Sequence, residues 1–347
     1  MHSAALDVVY FTLPGVILDT GKPMRRREFI SLLGSAATWP LVARAQQKVW
    51  KVGMLSAVSR QAYSGLRAAF ITGMRELGHV EGNDFIVEWR SAEQHYERFP
   101  ELIAELVGLK VDVIVCATGQ AYRPLQRATD TIPIVLLALT DPVGSGFVAS
   151  LKHPGGNITG LATSHDDTAP KQVELLSMAV PNMARIGLLV DPSSPTYLPF
   201  RKSVEAATAK TSLSVTLVEV SSLDQIDSAF QTFKTADVRA FIAMPSALFF
   251  GEQNRLIQLA LRNGLPSMFS QREYAVAGGL MSYGENLSDF FYRAASFVDK
   301  IFKGAKPGDL PIEQPTRFHL VINRKTADVL GLTIPPQLFI FADEVIE

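Results

Sequence analysis

Ile134–Leu137 is an unbroken apolar run of strand length that leads into the polar turn Thr140-Asp141-Pro142. A strand covered on both faces needs such a run, and strands of that kind belong to parallel sheets flanked by helices. The chain then passes Gly144 and Gly146 into a short apolar piece, Phe147–Leu151. It turns through His153-Pro154-Gly155-Gly156-Asn157, and Ile158–Leu161 begins a new apolar segment. Open α/β sheets bind ligands beyond the carboxyl ends of their strands. The stretch therefore offers a candidate site at Asp141 and, near Gly160, a candidate exit from one half of the protein.

Around this stretch, apolar runs and helical stripes alternate. Strands are predicted at Trp50–Leu55, Phe85–Trp89 and Val111–Cys116, with helices over Ala62–Leu77, Phe99–Leu106 and up to about Thr129. Past the turn cluster the alternation restarts. Helices are expected at Lys171–Val180, Phe200–Thr211, Ile226–Phe233 and Arg255–Asn263, and strands at Arg185–Val190, Leu213–Val220, Ala240–Met244 and Pro266–Phe269. Two β-α series of similar size predict two α/β lobes with parallel sheets, a hinged pair enclosing a cleft. Toward the end, the glycine-flanked extended piece Gly278–Gly284 reads as a crossing between lobes. Phe290, Ala294, Phe297 and Ile301, beside Phe291, Ala295, Val298 and Phe302, mark a helix apolar over a wide, buried face. Phe318–Ile322 reads as a last strand, Arg324–Leu330 as a last helix, and Ile334-Pro335-Pro336 as the start of an extended tail.

At 47% hydrophobic residues the chain can bury two cores, and a formal charge of −1 points neither to nucleic acid nor to an anionic membrane surface. One cysteine, Cys116, rules out an internal disulfide, and its apolar surroundings read as those of a buried structural thiol. The six histidines show no metal-ligand spacing, so neither a metal nor a cofactor is expected.

Residues 1–45 read as an export region. Arg25-Arg26-Arg27 precedes the apolar stretch Phe29–Val42, too short to span a membrane, and Ala43-Arg44-Ala45 fits a cleavage site. Arg26-Arg27-Glu28-Phe29-Ile30 resembles a twin-arginine signal, with Ser31 where a lysine usually follows, so twin-arginine and general secretion both stay open. Residues before Met24 have no place in such a signal, and Met24 is a candidate start. The expected product is exported to the periplasm and not embedded in a membrane.

Gly144-Ser145-Gly146-Phe147-Val148-Ala149 matches a dinucleotide fingerprint in letters only. Asp141-Pro142 separates it from the strand, and the helix it would open ends at the His153–Asn157 turns. No G-x-S-x-G elbow supports a hydrolase. What recurs is a polar loop after each predicted strand. Ser56, Thr118, Gly119, Gln120, Asp141, Pro142 and Ser164 are the candidates in the first half; Asp191, Ser193, Ser246, Arg272 and Glu273 are those in the second. Hydroxyls, backbone N–H groups, carboxylates and an arginine suit a small zwitterion. The same residue types also serve as ordinary helix caps.

FITGMRELGHVEGNDFIVEWR, VDVIVCATG, TIPIVLLALTDPVGSGFVASLKHPGGNITGL, the run from GGLMSYGENLSDFF to LGLTIPP, and ADEVIE together resemble one family. These are the exported ABC-transporter substrate-binding proteins that include tryptophan- and aromatic-amino-acid-binding members. The resemblance covers essentially the whole mature chain. It implies a type I periplasmic-binding-protein fold with a three-segment hinge, and a ligand closed between two Rossmann-like lobes. It also implies delivery of that ligand to an ABC permease driven by a separate ATPase, with no chemistry performed on it. By position it makes Asp141 the first candidate partner for an ammonium or polar group, while Tyr63 or Tyr197 could stack on an aromatic ligand. Residues 46–161 with about 283–310 form the expected first lobe, and 162–282 with about 311–347 the second. The competing readings are an effector-sensing domain of the same fold, as in LacI-like regulators, and an α/β hydrolase.

Overall fold

The computed structural model describes residues 48–163, 165–314 and 317–347. The expected export region and the candidate Ser164 lie outside the described residues.

Runs that read as doubly covered strands form a parallel sheet. β1 (Trp50–Ser56), α1 (Ser64–Glu76), β2 (Phe85–Ser91), α2 (Phe99–Gly108), β3 (Val113–Cys116), α3 (Gly119–Ala128), β4 (Ile134–Thr140) and β5 (Ile158–Thr163) follow one another. The strands lie in the order β2-β1-β3-β4-β5, every neighbouring pair parallel. All four residues of β3 and the first four of β4 are buried, as cover on both faces demands. Pairing between β4 and β5 slips between Leu136 and Leu139, where Ala138 takes φ +57°, and this bulge re-aims the end of β4. No helix forms between Asp141 and Asn157, so the glycine pair sits in turns.

The second series begins with α4 (His165–Ala179), β6 (Arg185–Val190), α5 (Tyr197–Thr208), β7 (Ser214–Glu219), α6 (Gln225–Thr235) and β8 (Ala240–Ala243). It continues through α7 (Ala247–Gly251), α8 (Gln253–Arg262), β9 (Ser267–Phe269), α9 (Arg272–Val276) and β10 (Met281–Gly284). β11 (His319–Asn323) and β12 (Glu344–Ile346) complete a seven-stranded sheet of order β12-β11-β10-β9-β8-β6-β7. The sheet is mixed and not purely parallel, because β11 runs antiparallel to β10. Met281–Gly284, expected as a crossing piece, is an inner strand of this sheet, and the passage itself comes one residue later.

That passage leads to α10 (Leu287–Phe302), which Asn286 caps by accepting a hydrogen bond from Asp289 N at 3.3 Å. The wide apolar face is buried from Phe290 to Phe302, and the helix packs along α1 and under β4 of the smaller sheet. The chain leaves again after a single turn at Pro307–Asp309, and Glu313 pairs with Leu161 on the way to β11. α11 (Arg324–Val329) and α12 (Pro336–Phe341) precede β12. α7, α9 and α12 replace an expected loop or extended tail, since five or six residues are too few for a helical period to show in sequence. Among the described residues no helix is long and apolar enough to cross a membrane.

Candidate functional site

The loops at the carboxyl ends of both sheets meet around a cavity of about 300 Å³. The smaller sheet supplies Thr118, Gly119 and Gln120 at the start of α3, and Ala138, Leu139 and Thr140 at the end of β4. The larger sheet supplies Ser194, Pro195 and Thr196, then Pro245 and Ser246, then Ser270 and Gln271. The two walls touch, for a Cβ on Gly119 would lie 3.2 Å from Cγ and Cδ of Pro195.

The polar lining is held from behind. Thr118, itself buried, accepts a hydrogen bond from Ala57 N at 3.2 Å, which joins the loops after β1 and β3. Ser246 accepts from Leu248 N at 3.1 Å, capping α7, and donates to Asp191 Oδ2 at 2.5 Å. The other Asp191 oxygen accepts from Ser193 N at 2.9 Å and Ser193 Oγ at 2.6 Å. Asp191 is 0% exposed and stands beneath the wall without facing the cavity. Two lining atoms are different: Gln120 Nε2 and Thr140 Oγ1 are shielded from solvent and have no hydrogen-bond partner among the described residues. Buried polar groups in native proteins are almost always satisfied, so these two are addressed to something the described residues do not supply.

Aromatic rings form the rest of the lining. Tyr63 meets Phe250 edge-on at 5.7 Å across the cleft, and Phe291 at 5.6 Å and Trp89 at 6.0 Å behind it. Burial pushes the Tyr63 phenol well above its ordinary range, so it stays neutral. Tyr122, whose hydroxyl donates to Leu137 O, meets Phe147 edge-on at 6.0 Å. Arg123 lies over the Phe147 ring at 4.4 Å and donates to Gln126 Oε1 and Ser145 O. Glu285, on the passage between β10 and α10, is the acidic member of the lining.

Of the residues singled out in the sequence, Thr118, Gly119, Gln120, Ser246 and the stacking candidate Tyr63 line the cavity. Ser56 is buried with its hydroxyl bonded to Val58 N and O. Asp141 is exposed at φ +42°, and its carboxylate accepts from Gly144 N at 2.9 Å, shaping the turn that Pro142 enters. Asp141, Pro142, Asp191 and Ser193 are therefore outside the lining. Arg272 is held at 2.6 Å by both oxygens of Glu344, beside a smaller cavity of about 90 Å³ that Glu285, His319 and Asp343 also border. Tyr197, the alternative stacking candidate, bonds Glu219 and Arg201 away from the cavity. Sequence reasoning passed over Phe147, Phe250, Phe290 and Glu285. The signal for Glu285 was present, a polar residue directly after a strand, but the segment read as a hinge and not as a wall.

Glu273, also outside the lining, accepts a hydrogen bond of 3.5 Å from Ser288 Oγ, while its Oε2 is buried without a partner among the described residues. Burial pushes its carboxyl above the usual range. A raised folded-state pKa favours folding at pH values below the unfolded one, and that benefit is lost as pH rises through the folded value. Glu273→Gln is therefore expected to leave the melting temperature unchanged below about pH 4 and to raise it at neutral pH. Thermal melts at both pH values check this, and an equal shift at the two would show that the carboxyl's charge is not the cause.

Three comparisons place this arrangement among known proteins. A family model described as "ABC transporter substrate binding protein" matches residues 51–346. A protein of Clostridioides difficile named "Tyrosine-binding protein" is 22% identical over 286 residues, 82% of each chain. A solved structure of an ABC domain in complex with L-Trp, from Streptococcus pneumonia, is 27% identical with a TM-score of 0.76, covering 86% of this chain and 100% of that one. A conserved domain protein from Vibrio cholerae has 26% identity and a TM-score of 0.79 over the same shares.

Proposed function

The chain belongs to the ABC transporter substrate-binding protein family, and we propose that it captures an aromatic, amino-acid-like solute by closing the two walls over it. Delivery to a membrane permease driven by a separate ATPase would follow. The observation that carries this reading is the lining drawn from both sheets, with aromatic rings beside the unpartnered Gln120 Nε2 and Thr140 Oγ1. A cavity of about 300 Å³ suits a solute of amino-acid size. The relatives named for tyrosine and bound to L-Trp lend the same direction to the ligand.

In this reading residues 46–161 with about 283–310 form one lobe and 162–282 with about 311–347 the other. Ligand touches both lobes only when they are shut, so binding shifts the open–closed equilibrium. Ser56, Asp141, Pro142, Asp191 and Ser193 support the walls, and Thr118, Gly119, Gln120 and Ser246 face the ligand. No covalent step is proposed: Cys116 is buried and its thiol is pushed up to about 12 by desolvation. Periplasmic delivery through a signal in residues 1–45 completes the proposal, and the amino-terminal mass of the exported protein tests it.

Thermal-shift and calorimetric titration with L-tryptophan and L-tyrosine is the direct experiment, with a raised melting temperature and saturable heat expected. Gln120→Ala is expected to weaken binding by about tenfold, the loss of one hydrogen bond of ~1.5 kcal/mol. The melt of the unliganded protein should stay put, because Nε2 has no protein partner among the described residues to lose. An unchanged affinity would remove Gln120 from the site.

A further inference from the structure

The loop after β2 meets the short helix after β8 at one bare position. Gly251, the last residue of α7, has no left-handed φ, so its own backbone does not call for glycine. What calls for it is close approach. A Cβ there would overlap Gln94 Nε2 and lie 3.2 Å from Val58 Cγ1. Gln94 and Val58 belong to loops of the smaller sheet, whereas α7 follows a strand of the larger one. Ala247, at the other end of α7, packs against the apolar cluster of the smaller sheet that holds Ala57 and Ala92. Gln94, Val58 and Gly251 all stand outside the lining of the cavity.

The loop that presents Gln94 is strained. Glu93 and Gln94 take φ +51° and +67° in succession, a conformation uncommon for these residue types. Such strain persists only where the surroundings fix it, and it gathers at clamps and switches. Here Gln94 N donates to Ala57 O at 2.6 Å, Ala92 N to Ser56 O at 2.9 Å, and Ser91 Oγ to Val58 O at 2.8 Å. The backbone so fixed carries the Gln94 amide against the uncovered Cα of Gly251.

We infer that Gln94 and Gly251 form a latch that holds the two walls shut, a positioning pair that sets how tightly solute is captured without touching it. In a protein that binds only when shut, apparent affinity scales with the shut fraction. A contact made only in that form therefore strengthens the capture of every solute alike. The latch rests on the closure proposed above and adds to it a determinant that lies outside the cavity.

Gln94→Asn separates the latch from the fold. Asparagine suits the left-handed backbone better than glutamine but is one methylene too short to reach Gly251. The unliganded variant should melt no lower than wild type. In calorimetric titration it should bind L-tryptophan and L-tyrosine about fivefold more weakly, by the same factor for both. Gly251→Ala, whose methyl displaces the amide, should lose about as much. The double variant should lose no more than either single one, about fivefold and not the ~25-fold of independent losses. Gln94→Asn within about twofold of wild type for both amino acids would overturn the latch. Losses that multiply would do the same, and so would a loss confined to one amino acid, which would put Gln94 in contact with solute. If wild type binds neither amino acid, the ligand reading fails separately and small-angle X-ray scattering of the unliganded proteins decides the latch. Gly251→Ala should then show the larger radius of gyration, and equal radii would overturn the pair's role.

Discussion

Gly119→Leu is expected to weaken solute capture by at least about a hundredfold, ~2.7 kcal/mol, while the protein stays folded. Gly119 opens α3 on the smaller sheet, and a Cβ there already lies 3.2 Å from Cγ and Cδ of Pro195 on the opposite wall. That spacing is below ordinary carbon–carbon contact, so the branches of a leucine would enter the pyrrolidine ring unless the walls moved apart. Overpacking of a closed contact costs ~1–3 kcal/mol or more, and under the proposed closure that cost falls on the shut form alone. Parted walls remove the clash, so the melt of the unliganded variant should match wild type. Calorimetry with L-tryptophan and a melt of each protein check both halves. Full affinity in the variant would show that the Gly119–Pro195 contact is no part of the ligand-bound form.

Gly160→Ala is expected to cost the fold itself at least ~4 kcal/mol, in the range reserved for a named structural break. Gly160 has φ +140°, a conformation L side chains rarely adopt. A Cβ there would overlap Leu136 O and lie 2.8 Å from Leu136 C and N on the neighbouring strand. Both obstacles are backbone, and neither can swing aside as a flexible side chain would. Leu136 and Gly160 are register partners just before the β4–β5 slip, so yielding there would also displace Ala138–Thr140, a wall of the cavity. Thermal denaturation should show a drop of roughly 10 °C or more, or failure to recover folded protein. A shift under about 2 °C would mean that the strands part easily at the bulge.

The two sheets were legible because burial on both faces leaves a mark in sequence. Val113–Cys116 and Ile134–Leu137 are apolar without interruption and are buried in the fold. α10 was legible for a related reason, its two adjacent stripes giving a face too wide for a surface helix. The antiparallel direction of β11 and the helices at Ala247–Gly251, Arg272–Val276 and Pro336–Phe341 were not. Strand direction has no residue signature, and one turn of helix has no period.

The cavity divides in the same way. Polar loops after strands could be found in sequence because ligand sites and helix caps both draw on Ser, Thr, Asp and Gly. Composition cannot separate those two uses. Asp141 and Glu285 are both carboxylates just beyond a strand, yet one bonds its own turn three residues on and the other meets Thr163 across 122 positions at the cavity. Asp191 likewise meets Ser246 across 55 positions and supports the wall from behind. The alternation of elements, the two parallel series and the family resemblance lay in the sequence by itself, since they follow from local period and burial. Which carboxylate borders the cavity was decided only by the tertiary structure, because long-range partners, and not residue type, determine where a polar side chain is held.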